Sequence, residues 1–584
     1  MQSYTVADLF LESLALFVAL SAADGFARLT KRPQCVIVHV DVGTAALGQG
    51  LHNASSGRAP VLIFAGQAPL TLHGELPGSR SEHVQWYQDV PNQHAIVAPY
   101  ARYTAELKHA AHTRTIVRRA LAMSVATSPG PVYLTATREV LAAPADPAFF
   151  PDGPSSSSPT TTTTAPQPPS STLGALPPHA VTTIVTALLA ADSPLVVTGY
   201  LGRSNRAVHA LVSLASIVRG LRVFDAEFRE TSFPATHRAA IHRSTGAAAA
   251  IKSADVVLLL DVDVPWIPTK VRPERRDGGG VRIFHVDCDP RKEKMGMFDV
   301  GADEESGGGG TWAADAGTAL EQLCEWLRGP AGAAMLAERA AAFDRRWEEL
   351  GRRHEEGCRL LAEKARPAPD DRLTPAALFA ALRRALPEDT IWVSDVVTNQ
   401  VVLSEQLALK VPGTNFTKGG SGLGWSGGAA VGMKIATELF DTANERPCVN
   451  RREGGRDGKG RFICSITGDG SFIFGAPSAV YWAQHQHQTP FLTVIVNNGG
   501  WKATRSCIND VHPDGLAAKT SDHGLGIDLR GNGPDYLGIA KAAAGGNLVT
   551  ARVDKFDDLE AVIATLRKDV EERRVGAVLE AVVV

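Results

Sequence analysis

Nearly continuous apolar runs recur along this chain, separated by longer stretches of helical character, and that rhythm constrains the fold more than any other feature. The runs are "CVIVHVDV" from Cys35, "PVLIFAG" from Pro60, "PLVVTGY" from Pro194, "ADVVLLLDVDV" from Ala254 and "VRIFHVDCDP" from Val281. Further along come "TIWVSDV" from Thr390, "RFICSITGDG" from Arg461, "FLTVIVNN" from Phe491 and "GAVLEAVVV" at the end. A strand with one wet face alternates polar and apolar residues; these runs do not, so helices must cover both faces of the sheets. That means parallel sheets built from βαβ units. At 584 residues the chain exceeds what one core supports. The stretch "PDGPSSSSPTTTTTAPQPPSST", Pro151 to Thr172, cannot bury enough apolar surface to fold and reads as a linker. Ala333 to Arg366, rich in Ala, Glu and Arg, reads as a helical connector. The expectation is an α/β protein of three doubly wound parallel-sheet domains: 1–150, a linker 151–178, 179–330, a connector 331–372, and 373–584.

Composition removes several classes of partner. With 59 Lys+Arg against 62 Asp+Glu and no long run of one sign, the chain lacks the footprint of a nucleic-acid binder. Its seven cysteines are scattered and never in a CxxC arrangement, which argues against a disulfide framework and a zinc cluster and favours an intracellular location. The apolar run Leu14 to Ala23 is too short to span a bilayer and continues into Asp24-Gly25, so it reads as a core helix. Small molecules are the expected partners, with no nucleic acid and no membrane.

The chemistry concentrates in "GDGSFIFGAPSAVYWAQHQHQTPFLTVIVNNGGW", Gly468 to Trp501. Asp469 falls at the carboxyl end of one expected strand and Asn498 at the carboxyl end of the next, which is where open parallel sheets bind ligands. A carboxylate and an amide carbonyl are hard oxygen donors suited to Mg2+. Gly468 and Gly470 would let backbone amides approach a phosphate, and a helix beginning near Ala476 would add a favourable dipole. Either motif alone is an ordinary turn or loop; together, at strand ends, they point to a magnesium diphosphate.

GDG, a spacer of 26 residues (Ser471 to Val496) and NN is similar to the signature of thiamine-diphosphate-dependent enzymes. The order of domains resembles the acetolactate-synthase-like and 2-oxo acid decarboxylase branch: pyrimidine-binding, central, diphosphate-binding. The resemblance implies Asp469, Asn498 and the backbone carbonyl of Gly500 as metal ligands, and Thr398 and Asn399 beside the diphosphate with Gly468, Gly470 and Ser471. It puts Gly422 and Leu423, in "KGGSGLGWSGGAAVG", under the cofactor, with Leu423 as the prop that bends it, and Val42, Gly43 and Thr44 beside its pyrimidine. It further implies thiamine diphosphate and Mg2+ as cofactors, a small 2-oxo acid substrate undergoing decarboxylation or carboligation, and a homodimer or homotetramer in which two subunits share each cofactor. FAD stays open, since acetolactate synthases bind it and "VTGYLGR" from Val197 is too generic to decide. Gly420-Ser421-Gly422 is a weak dinucleotide fingerprint without the usual spacing. Among the histidines, His39 reads as a strand residue, His52 as near a loop, and His485 and His487 as helical. His73, Gln67 and Trp86 lie in a segment resembling the border of the substrate region.

The chain departs from the family at Leu16, where members carry the glutamate that hydrogen-bonds the pyrimidine and lets the cofactor lose its C2 proton. No catalytic side chain is therefore assigned. Glu12 is no substitute, because "YTVADLFLESLA" itself resembles the first helix of the pyrimidine domain. Two strands and a helix of the family are missing between that helix and "LFVALSAADGF". The gap belongs either to a divergent enzyme or cofactor-binding pseudoenzyme, as glyoxylate carboligases with an aliphatic residue at this position make conceivable, or to a mis-spliced gene. Loss of a central strand, which would expose neighbouring backbone and apolar faces, favours the second.

Overall fold

The computed structural model describes residues 16–144, 173–274, 280–292, 296–297, 309–441, 446–447, 460–531 and 533–584. The Pro/Ser/Thr-rich linker and Glu12 lie outside them. Contacts group the chain into two compact units, each assembled from three separate stretches of sequence.

The first unit takes the described residues of Met1–Ser171, Lys418–Gly460 and Gly475–Thr489. Its sheet has four parallel strands, β1 (Gln34–Val38), β2 (Val61–Gly66), β3 (Tyr103–Leu107) and β4 (Val132–Ala136), in the order β1-β2-β4-β3. β1 stops at Val38, so His39 lies beyond the strand and is exposed, against the expectation of a strand residue. β1 is an edge among the described residues, and Ile37 on it is 37% exposed. The helix Leu16–Thr30 shares a core with the sheet through Leu20, Ala23 and Ala27, together with Val36 and Ile63. A second helix, Trp425–Leu439, crosses it closely enough that a Cβ on Gly432 would lie 2.0 Å from the carbonyl oxygen of Ala22. The buried Trp425 Nε1 donates to Asp24 Oδ2 at 2.9 Å across the same crossing.

The second unit takes Thr172–Thr417, Arg461–Phe474 and Pro490–Val584, again as far as described. Its first sheet is β5 (Pro194–Thr198), β6 (Arg222–Asp225), β7 (Val256–Leu260), β8 (Arg282–Asp287) and β9 (Gly310–Ala313), in the order β6-β5-β7-β8-β9. The connector expected over 331–372 contains the helices Pro330–Glu338 and Ala340–Lys364, the latter burying Phe343, Leu350, Gly357 and Leu361 along one face. Strand β10 (Ile391–Asp395) and β11 (Asn415–Thr417) start the last sheet, and a small antiparallel hairpin of the first unit, β12 (Phe440–Asp441) with β13 (Arg446–Pro447), interrupts it. The sheet continues with β14 (Ile463–Gly468), β15 (Leu492–Asn497), β16 (Leu548–Val553) and β17 (Gly576–Val582), in the order β11-β10-β14-β15-β17-β16. All pairings in the three larger sheets are parallel, and the burial of β7, β10 and β14 on both faces is what their unbroken apolar runs require. Among the described residues no helix is long and apolar enough to cross a membrane.

Candidate functional site

In the last sheet the strand order reverses at β10, which has β11 on one side and β14 on the other. The crevice outside the carboxyl ends of such strands is the natural binding place of an open α/β sheet. Asp395 ends β10, Thr398 lies in the short turn Val397–Asn399 beyond it, Asp469 directly follows β14 and Asn498 directly follows β15. The sheet therefore brings Thr398, Asp469 and Asn498 to one rim.

Asp469 is 3% exposed and organises the rim. Its Oδ1 accepts the Gly470 amide at 2.8 Å, and its Oδ2 accepts those of Gly499 at 2.9 Å and Gly500 at 2.8 Å. Burial pushes its pKa up while the three amides pull it back. The turn can wrap the carboxylate because Gly499 and Gly500 adopt φ of +82° and +134°. A Cβ on Gly500 would also lie 2.1 Å from the Ile527 carbonyl oxygen. Asn498 Nδ2 donates to Thr398 Oγ1 at 3.3 Å, which fixes the amide so that Oδ1 is buried without a hydrogen-bond partner among the described residues. A buried carbonyl left so costs roughly 1–3 kcal/mol unless something supplies positive charge to it. Beside Asp469 this orphaned oxygen fits a hard cation such as Mg2+, and Ser471 Oγ, which donates to Asp395 Oδ1 at 3.3 Å, adds a hydroxyl to the same rim.

The other residues expected at the rim make contacts of their own within the protein. Gly500 meets Asp469 through its amide, and its carbonyl, the expected third metal ligand, accepts the Lys502 amide at 2.9 Å. Gly470 makes room for an indole, since a Cβ there would sit 2.5 Å from the Trp501 ring; at Gly468 a Cβ would meet nothing closer than 4.0 Å. The helix that starts at the rim is Asp469–Phe474, whereas Pro477–Gln486, the one expected near Ala476, belongs to the first unit. Asn399 turns its amide back to the Val396 carbonyl.

Asn497, the first member of the NN pair, completes the rim with Tyr536 and Glu580, which had not been singled out in the sequence. Asn497 Nδ2 donates to Glu580 Oε1 at 2.8 Å while its Oδ1 accepts the Gly499 amide at 3.1 Å. Tyr536 buries its hydroxyl without a hydrogen-bond partner among the described residues; burial, then the charges of Asp469 and Glu580, push its pKa up. Of Tyr536 and Glu580, the readable signal was Glu580, a single acid inside the apolar run "GAVLEAVVV".

The remaining expected residues lie in the first unit. Val42 is 59% exposed, Gly43 follows it, and Thr44 is fully buried, its Oγ1 2.8 Å from the Tyr133 hydroxyl and 3.1 Å from Gln93 Nε2. Gly422 exchanges two hydrogen bonds with the Asn53 side chain, and the Leu423 carbonyl accepts Gln49 Nε2 at 2.6 Å. This glycine-rich loop is thus laid on the helix Gly48–Ser56, with Gly420 against the His52 ring and Gly419 against the Asn53 and Gly57 backbone. Leu423 is half-buried. Leu16 opens the helix Leu16–Thr30 and packs on the apolar core of the first sheet. His73 and Trp86 are exposed, with Arg80 stacked over the Trp86 ring. Gln67, His485 and His487 are half-buried.

Residues 16–96 match the thiamine pyrophosphate enzyme N-terminal TPP binding domain, and residues 395–580 match the C-terminal TPP binding domain. The chain carries both TPP-binding domains of the thiamine pyrophosphate enzymes. The C-terminal match begins at Asp395 and contains the whole rim of Thr398, Asp469 and Asn498. Benzoylformate decarboxylase of Pseudomonas aeruginosa is 23% identical over 495 residues, covering 83% of this chain and 78% of the relative. Two solved structures share the fold, each with a TM-score of 0.69. The 4-hydroxybenzoylformate decarboxylase of Rhodococcus jostii RHA1 is 18% identical over 98% of this chain and 91% of its own. The benzoylformate decarboxylase of Polynucleobacter necessarius is 17% identical over 100% and 94%. These likenesses support thiamine pyrophosphate as the cofactor of this thiamine pyrophosphate enzyme and lend no support to a flavin.

Proposed function

We propose that this thiamine pyrophosphate enzyme is a magnesium-dependent decarboxylase of a small 2-oxo acid, nearer the benzoylformate type than acetolactate synthase. The observation carrying the proposal is the orphaned Asn498 Oδ1 beside the buried Asp469 carboxylate, at the switch point of a sheet whose relatives decarboxylate benzoylformates. Bound thiamine pyrophosphate supplies the electron sink for loss of carbon dioxide from a 2-oxo acid. Asp469 and Asn498 would hold Mg2+ against its diphosphate, and Thr398 and Ser471 would offer hydroxyls to the same group. The paired subunits of a homodimer or homotetramer would enclose each cofactor.

A second reading, a cofactor-binding scaffold without turnover, is favoured by Leu16, a hydrocarbon where the family carries its proton-relaying glutamate. A positioned acid–base group of that kind is typically worth 10²–10⁴-fold, so decarboxylation by the chain as it stands should be slow by about that factor. Leu16→Glu alone should not restore it, because nothing would aim the carboxylate; refilling the gap with the family's strands and helix, together with the glutamate, should. Calorimetric titration with thiamine pyrophosphate and Mg2+, followed by carbon dioxide release from benzoylformate and from pyruvate, tests both readings. Binding that survives Asp469→Ala would remove the proposed site. Binding without any carbon dioxide would select the scaffold.

A further inference from the structure

Outside the diphosphate rim, one other group of side chains converges as ligands do. His242 follows β6 by way of a segment bound along that strand's edge, where Val223 and Ala240 form a parallel bridge and the Ala239 carbonyl accepts the Val223 amide. A π-turn, Arg243–Ala247, begins at the next residue, and such turns cluster at functional sites. From the connector helix Ala340–Lys364 come His354 and Cys358, one turn apart on the same face. Cys358 Sγ lies 3.5 Å from His354 Nε2 and 3.8 Å from His242 Nε2, and the two imidazoles stack with centroids 5.1 Å apart.

We propose that His242, His354 and Cys358 form a site for a zinc-class cation, with solvent as the fourth ligand, which fastens the connector helix to the edge of the β5–β9 sheet. Zn–S near 2.3 Å and Zn–N near 2.0–2.1 Å at a tetrahedral angle put sulfur and nitrogen about 3.5–3.6 Å apart, close to both observed separations. A thiol has one proton and can donate it to only one ring nitrogen, whereas a cation satisfies both. The helix also makes room for the third ligand: a Cβ on Gly357 would lie 2.6 Å from His242 Cδ2, which explains a glycine inside a helix, where it costs about 1 kcal/mol relative to alanine. Cys358 is exposed, leaving a side open for a water. Glu405 stays out of the ligand set because both its oxygens accept from Ser244.

Titration of the whole protein with Co2+ tests the site, since a thiolate on tetrahedral cobalt gives a sulfur-to-metal charge-transfer band in the near ultraviolet that the all-oxygen site at Asp469 cannot give. One equivalent of Co2+ should raise the band and Zn2+ should remove it. Cys358→Ser should abolish it. His242→Gln and Gly357→Ala should weaken binding by at least about tenfold, the loss already typical when only an outer partner of a ligand is removed. Cys507→Ser, at another exposed cysteine, and Asp469→Ala should leave the band intact. In the unmodified chain Zn2+ should also slow alkylation of Cys358, a measurement that needs no variant to fold. Absence of the band from the unmodified protein, its persistence in Cys358→Ser, or alkylation indifferent to Zn2+ would each overturn the proposal.

Discussion

Two glycines with positive φ separate backbone strain from steric demand at the residue scale. Gly526 has φ of +68° and open space within 4 Å of where a methyl would stand, whereas Gly500 combines φ of +134° with a carbonyl oxygen 2.1 Å away. Gly526→Ala should cost about 1–2 kcal/mol, the ordinary left-handed penalty. Gly500→Ala should cost clearly more and should weaken thiamine pyrophosphate binding, because Asp469 loses the amide that holds it; urea unfolding and cofactor titration of the pair check this. The half-buried Asp225 carries a separate expectation. Its two oxygens accept the Phe228 and Ser232 amides, yet burial pushes its pKa up to about 7. An acid whose pKa is higher folded than unfolded takes up protons on folding, so its contribution to stability falls as pH rises from about 4 to about 7. At roughly 1.4 kcal/mol per unit, and with partial exposure screening the effect, urea midpoints should fall by the equivalent of about 1–2 kcal/mol over that window. Asp225→Asn should flatten the slope; an unchanged slope would mean that Asp225 ionises normally.

At the scale of elements, the pair Leu16–Thr30 and Trp425–Leu439 depends on small residues at its crossing. Gly432→Ala drives a methyl into the Ala22 carbonyl and should destabilise by roughly 1–3 kcal/mol, while Gly48→Ala, with nothing within 4 Å, should be neutral or mildly stabilising. Thermal melts of the two variants decide it. The elements themselves were largely legible: each of the nine apolar runs contains a parallel strand, because burial on both faces leaves a mark that survives without any knowledge of neighbours. Strands such as β9, with alternating exposure, and β11, of three residues, carry too little apolar sequence to mark themselves. Asp469 and Asn498 were legible because they follow such runs directly. The demand for glycine at positions 470 and 500 was not, since Trp501 and Ile527 create it, and neither was the pairing of Asn497 with Glu580, 83 residues away. The approach of His242 to Cys358 left no mark in the sequence for the same reason: they are 116 residues apart.

At the scale of the whole molecule, the sequence order of segments is not the order of packing. Every residue from Val18 to Leu29 in the first helix is buried, which a helix achieves only when covered on opposite sides. One cover is the sheet β1–β4 and another is the helix Trp425–Leu439. A fragment ending at Ser171 should therefore bind a hydrophobic dye and unfold without cooperativity, in contrast to the full chain; a sharp two-state melt of that fragment would refute this.

The hydrogen bond between Asp24 and Trp425 spans 401 positions. A ribosome adding about 5–20 residues per second takes roughly 20–80 s to travel that far. Throughout that interval the nascent helix presents its alanine-rich flank to solvent with its eventual cover still untranslated, which gives chaperones that bind apolar segments a long opportunity to hold it.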